Sequence, residues 1–238
     1  MKVEVAVAKV GKYATAESGD TVEVIERPLG GISLVLADGQ RSGRGAKRIS
    51  NLAARKAISL LAEGVRDGAA ARAAHDYLRA QREGKVLATL NIVSVDLSTR
   101  TIVISRNSHC PVLVFEEGEL RLLDEPSEPI GVRRRVRPVV AELTLRPSTL
   151  VVVFTDGVYS AGQRYGNTIN LLEVVSQGIE EALSVQQLAD FILEEAVALD
   201  RGRPTDDVSV IVLRVVPEEK ESEVRRMAVS FPVRRAVV

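Results

Sequence analysis

The sequence predicts an α+β protein in which two mainly antiparallel sheets pack together with helix pairs on the outside. Three observations lead there. Strand-type runs form an almost unbroken block from about residue 85 to 155. Short segments such as Ser98-Thr99 and Glu117-Gly118 join them as hairpins, which makes the pairing antiparallel. Helical patterns come in two pairs, one before that block and one after it.

Taken in order, residues 2–10 alternate apolar and polar and then turn at Gly11. Runs 21–27 and 31–37 read as strands joined through Pro28-Leu29-Gly30-Gly31. A helix over about 45–63 sets Ala46, Ile49, Ala53, Ala57, Leu60 and Leu61 on one side and stops at Gly64. Asp67 is placed to cap a second helix of about 68–82, closed near Gly84. Strands follow at 85–96, 100–106, 111–116, 119–123, 138–145 and 149–155. Two further helices are expected at about 168–182 and 185–199, the second opened by a capping box of Ser184 and Gln187. A last strand covers 208–216. Residues 1–216 are therefore expected to form one domain, and 217–238 a polar turn and tail whose apolar part, Met227 to Val233, could add a strand.

Composition narrows the function. A chain of 238 residues with 45% hydrophobic residues can bury a sizeable core. Acidic and basic residues balance at 32 each, which gives no field for nucleic acid or an anionic membrane. One cysteine, Cys110, rules out an internal disulfide. No apolar run reaches the ~20 residues of a membrane span and no signal-peptide pattern opens the chain, so a cytoplasmic location is expected.

Chemistry concentrates in acids at the ends of apolar runs. Asp38-Gly39 follows Gly31–Ala37, Asp156-Gly157 follows Leu150–Thr155, and Asp206-Asp207 precedes Val208–Val212. Asp20 stands just before the strand that begins at Val22. Carboxylates held at strand ends can converge into a set of hard oxygen ligands for Mg²⁺ or Mn²⁺. Gly39, without a Cβ, would let its carbonyl approach a cation. Neighbouring side chains on a strand point to opposite faces, so only one of Asp206 and Asp207 is expected to face the metals. Ser42-Gly43-Arg44-Gly45 leads into the first helix and brings free backbone N–H groups alongside.

The order Ser18-Gly19-Asp20, Ala37-Asp38-Gly39-x-x-Ser42-Gly43, Asn107-Ser108-His109-Cys110-Pro111, Pro129-Ile130-Gly131, Thr155-Asp156-Gly157 and Asp206-Asp207-Val208-Ser209 resembles the protein phosphatase 2C superfamily. More narrowly, it is similar to the bacterial SpoIIE-type serine/threonine phosphatases, from about residue 3 to 216. The resemblance implies an αββα sandwich with two divalent cations, Mn²⁺ or Mg²⁺, in a cleft between the sheets. It implies that Asp38 bridges both ions with the Gly39 carbonyl on one, that Asp156 and Asp206 complete the ligands, and that Asp20 holds a bound water. Water activated there would attack phosphoserine or phosphothreonine of a signalling protein, such as an anti-sigma-factor antagonist. Lys9 lies about where related enzymes place a basic phosphate contact, with Lys12 as competitor.

Two positions depart from that pattern. Gln40 stands where larger members carry His, and Ser108 where Gly is usual. His109 is expected to tie the Asn-x-His-x-Pro turn together, His75 has no partner suggested by spacing, and Cys110 reads as a small packed residue. Arg133-Arg134-Arg135 with Arg137 reads as a solvated loop. Besides a protein phosphatase, the sequence leaves open a non-catalytic phosphoprotein-binding module of the same fold and a phosphatase for a small metabolite.

Overall fold

The fold is taken from a computed structural model, which describes residues 1–28, 30–218 and 223–232. Its elements run β1 (Lys2–Val10), β2 (Thr21–Glu26), β3 (Ile32–Gly39), α1 (Gly43–Ala62), α2 (Asp67–Gln81), β4 (Ala88–Asp96), β5 (Thr101–Asn107), β6 (Val112–Glu116) and β7 (Glu119–Leu123). They continue with β8 (Val139–Thr144), β9 (Leu150–Phe154), α3 (Asp156–Tyr159), α4 (Leu171–Glu180), α5 (Val185–Leu199) and β10 (Val208–Val216). One sheet has the order β1-β10-β9-β6-β7 and the other β2-β3-β4-β5-β8. Every strand pair in both is antiparallel.

Alternation along the strands builds three layers of core. Leu34, Leu36, Val93, Ile104, Val114, Val153, Ile211 and Leu213 meet between the sheets. On the opposite face of the second sheet, Val35, Ala37, Leu90 and Ile92 pack against Ala53, Ala57 and Leu61 of α1 and Ala74 and Leu78 of α2. Val152, Phe154, Val210 and Val212 of the first sheet pack against Val175 of α4 and Leu188 and Ile192 of α5. The result is the expected αββα sandwich. Small alanines on α1 and α2 let both helices lie close to the sheet.

Several elements differ from expectation. β3 runs on through Asp38 and Gly39, which pair with Thr89 and Ala88 of β4, so Asp38 is held by a ladder rather than by a turn. Asp67 does not cap α2; Arg66 holds that position without a side-chain bond. Asp67 is buried instead and pairs with Arg27 at 3.2 Å. The same guanidinium reaches Ser33 and Ser94 at 3.3 Å and the Val65 carbonyl at 3.1 Å. The strand expected from Met227 is not formed: residues 223–232 carry no strand, and Val229 and Phe231 are exposed. Val233 lies outside the described residues. An apolar run alone does not make a strand without an edge to pair with. The capping box of Ser184 and Gln187 at the start of α5 is present.

Candidate active site

Both sheets deliver acids to the same end of the sandwich. Asp38 closes β3, next to β2 and its preceding Asp20 in one sheet. In the other, β9 and β10 are neighbours, so Asp156 just after β9 lies beside Asp206 just before β10. Asp38, Gly39, Asp156 and Asp206 line one cavity of about 400 Å³. Lys12, Arg41 and His109 also line it.

Close packing fixes these acids. A Cβ on Gly39 would come within 2.1 Å of the Ala46 carbonyl oxygen of α1. One on Gly157 would meet the Asp207 carbonyl oxygen at the same 2.1 Å. Only glycine permits either approach, so Asp38 is pinned beside the start of α1 and Asp156 beside Asp207.

Asp20 sits behind the cavity wall, fully buried. Its Oδ2 accepts from Ser209 Oγ at 2.5 Å and Thr155 Oγ1 at 3.1 Å, whereas its Oδ1 has no hydrogen-bond partner among the described residues. Burial pushes the Asp20 carboxyl up to about 7, against the pull of the Ser209 hydroxyl and Lys9. Asp38 goes further, to about 9, driven by burial and then by the charges of Asp20 and Asp156. Asp156 is raised by burial and by Asp206, with His109 pulling it down. The acids thus disfavour one another's ionised forms, which a cation among them would reverse.

Asp206 and Asp207 divide as the strand geometry requires. Asp206 lines the cavity. Asp207 is buried and accepts from the backbone N–H of Lys12 at 2.9 Å and of Gly19 at 2.8 Å, so it ties the β1–β2 loop to the start of β10. Asp207→Ala is expected to lower unfolding free energy by about 3 kcal/mol, because two backbone donors, that of Gly19 buried and that of Lys12 half-buried, lose their acceptor. Asp206→Ala should cost little stability; urea denaturation of both variants checks the order, and the reverse order would mean that Asp207 does not hold the loop.

Two assignments need correcting. Lys9 does not line the cavity: its ammonium is tucked against the Asp20 carbonyl oxygen, although much of the side chain is open to solvent. Burial of that ammonium, with Lys47 beside it, pulls Lys9 down to about 8. Lys12 is the lysine at the cavity. His109 does not tie its turn either; it is exposed at the cavity. The turn is held by Arg106, which donates to the Ser108 and Cys110 carbonyls at 2.9 and 3.3 Å, by Ser108 Oγ accepting from Cys110 N at 3.1 Å, and by Asn107 donating to Glu128 O at 3.0 Å. Cys110 is buried and its thiol is pushed up to about 12 by burial, which leaves it protonated and inert at neutral pH.

Sequence reasoning missed Arg41 at the cavity and the role of His75. Buried in α2, His75 accepts from Gly131 N at 3.1 Å through Nδ1, which anchors the Pro129-Ile130-Gly131 segment behind the cavity. Burial holds His75 below its ordinary value, in keeping with a neutral acceptor ring.

Comparison with known proteins gives the same frame. Residues 28–216 match the model of the family described as stage II sporulation protein E (SpoIIE). Stage II sporulation protein E of Priestia megaterium is 21% identical over 213 residues, which is 90% of this chain but 36% of that protein, so the chain spans about a third of that relative's length. The PP2C phosphatase domain with a regulatory fragment of SpoIIE from Bacillus subtilis superposes with a TM-score of 0.77 at 20% identity, over 90% of this chain and 64% of that one. The catalytic domain of the serine/threonine protein phosphatase PstP, in complex with 2 manganese ions, superposes with a TM-score of 0.66 at 18% identity, over 90% and 99% of the two chains. With its two antiparallel sheets, its paired outer helices and a family match that runs through all but the first two strands, this chain belongs to the SpoIIE family, and its fold is that of the PP2C phosphatase domain of SpoIIE from Bacillus subtilis.

Proposed function

We propose that this chain hydrolyses phosphoserine or phosphothreonine on a signalling protein, such as an anti-sigma-factor antagonist, with two divalent cations, Mn²⁺ or Mg²⁺. The observation that carries this is a single cavity lined by Asp38, Asp156 and Asp206, with the cationic Lys12 and Arg41 in its walls. The donor set suits a hard cation: carboxylate oxygens, the Gly39 carbonyl and, behind them, the unpartnered Oδ1 of Asp20. Among the described residues no three acid, imidazole or thiol side chains close around one point. An ion that keeps several waters, as Mg²⁺ does, needs only one or two carboxylates of its own. When bound, the ions supply an activated water and neutralise charge on phosphorus.

The remaining work falls to the chain. Asp38, at the rigid end of β3, would hold the ions together with Asp156 and Asp206 of the facing sheet. Asp20, oriented by the Thr155 and Ser209 hydroxyls, accepts a hydrogen bond from water at the cavity wall. Lys12 and Arg41 attract the phosphate dianion and set its oxygens against the acids. Gln40, Arg41 and His109 are exposed at the rim, so a phosphorylated side chain on a protein surface has access. Residues 1–216 form the unit that carries this activity.

The test is hydrolysis of an aryl phosphate and then a phosphoserine peptide, with Mn²⁺, Mg²⁺ or chelator, beside Asp156→Asn. Metal-dependent turnover that the variant loses is the expected result. No turnover of either substrate with any metal would overturn the proposal in favour of a phosphoprotein-binding module.

A further inference from the structure

A second concave site lies on the outer face of the α1–α2 pair, away from the cavity of acids, and encloses about 610 Å³. Arg48, Arg55 and Lys56 of α1 line it, with Arg82 just past the end of α2. Positions 48, 52, 55 and 59 of α1 repeat at three- and four-residue intervals, so they make one stripe along the helix. No carboxylate lines the groove, and among the described residues none of the four cations is in an ion pair. This occurs in a chain whose acids and bases balance at 32 each, so the groove is a local excess and not part of a general basic surface.

Three details point to an anionic ligand with some apolar character. The Nε of Arg82 is buried and has no hydrogen-bond partner among the described residues, a donor left unsatisfied by the chain itself. Asn51 in the groove wall already accepts from Thr21 Oγ1 at 2.8 Å through Oδ1, which leaves its amide as a donor for a ligand. Leu52 and Tyr77 lie among the cations; Tyr77 is 37% exposed and its ring faces the Lys56 ammonium at 5.8 Å from the centroid. Like charges gathered without counter-charges repel, and the fold gains nothing from them.

We propose that this groove docks an acidic segment of a protein partner, with carboxylates between Arg48, Arg55 and Arg82 and an apolar side chain on Leu52 and Tyr77. Carboxylates pair bidentately with guanidinium, and three of the four cations are arginines. A nucleic acid would bring no aliphatic group for Leu52. The proposal is independent of the phosphatase reading, since it uses none of the cavity residues.

The experiment titrates the intact protein with a short fluorescent peptide of glutamates interspersed with leucine and phenylalanine, and with its glutamine counterpart. Saturable binding of the acidic peptide alone is expected, weakened by salt. The pair Arg48→Glu with Arg55→Glu should weaken it at least ~10-fold with unchanged melting, while Arg133→Glu with Arg134→Glu on the exposed loop leaves it intact. If the charge reversals disturb folding, Arg48→Gln with Arg55→Gln serves with the same expectation. Tyr77→Ala should weaken binding without changing its salt dependence. Absence of saturable binding, equal loss in the loop pair, or equally tight binding of a single-stranded oligonucleotide or anionic vesicles that displaces the peptide would each overturn the proposal.

Discussion

Asp38→Asn is expected to cut metal-dependent phosphate hydrolysis by at least about 100-fold while melting no lower than the parent. The two halves have one cause. Burial, Asp20 and Asp156 together hold the Asp38 carboxyl at about 9, so its negative charge is unwelcome until a cation offsets it. An amide fills the same space at the end of β3, keeps the pairing with Thr89 and removes that repulsion. It would also remove one of the anionic groups that the proposed reaction needs to hold its cations. Stopped-time assays with Mn²⁺, set beside thermal melts in chelator, separate the effects. Near-parent turnover would take Asp38 out of the mechanism; a large fall in melting temperature would mean its charge is already compensated within the chain.

Asp67→Ala is expected to cost about 4 kcal/mol of unfolding free energy with little change in turnover per folded molecule. Arg27 and Asp67 are a buried ion pair, with side chains 9% and 6% exposed. Removing the acid leaves a buried guanidinium held, among the described residues, by Ser33, Ser94 and the Val65 carbonyl. Replacing both partners with leucine should cost less than the single change, because no uncompensated charge remains. Urea denaturation of the two variants gives the comparison; a single variant no worse than the double would show that the pair is already solvated.

How much of this could be read beforehand follows from what determines each feature. Strand and helix positions were legible because alternation and three-to-four-residue spacing are local, and the Ser184–Gln187 box lies within four residues. Asp38, Asp156 and Asp206 were legible as a group because each adjoins an apolar run that could only be a core strand. Other features depend on partners far along the chain. Asp67 looks like a helix cap because Arg27, its real partner, is 40 residues away. His109 looks like the clasp of its turn, but Arg106 crosses beneath and satisfies the carbonyls instead. Lys9 and Lys12 differ only in where the end of β1 lets each side chain go; Lys9 reaches the Asp20 carbonyl oxygen, to which Lys47 of α1 also donates. The apolar tail reads as a strand by composition, yet residues 223–232 pair with no sheet edge.

The pairing of β1 with β10 has a consequence for how the molecule comes into being. β1 joins its sheet only through β10, from Lys2 against Val216 to Val10 against Val208. Nearly two hundred residues separate the two strands, so at ribosomal speed β1 waits roughly 10–40 s for its neighbour. During that interval Val3, Val5 and Val7 have no cross-strand partner and are open to other chains. Asp207 reaches Lys12 and Gly19, and Ser209 reaches Asp20, only after the same closure. In a nascent chain the candidate site therefore stays incomplete until β10 emerges; long-range closure slows its maturation, and chaperone protection of the first strand would raise its yield.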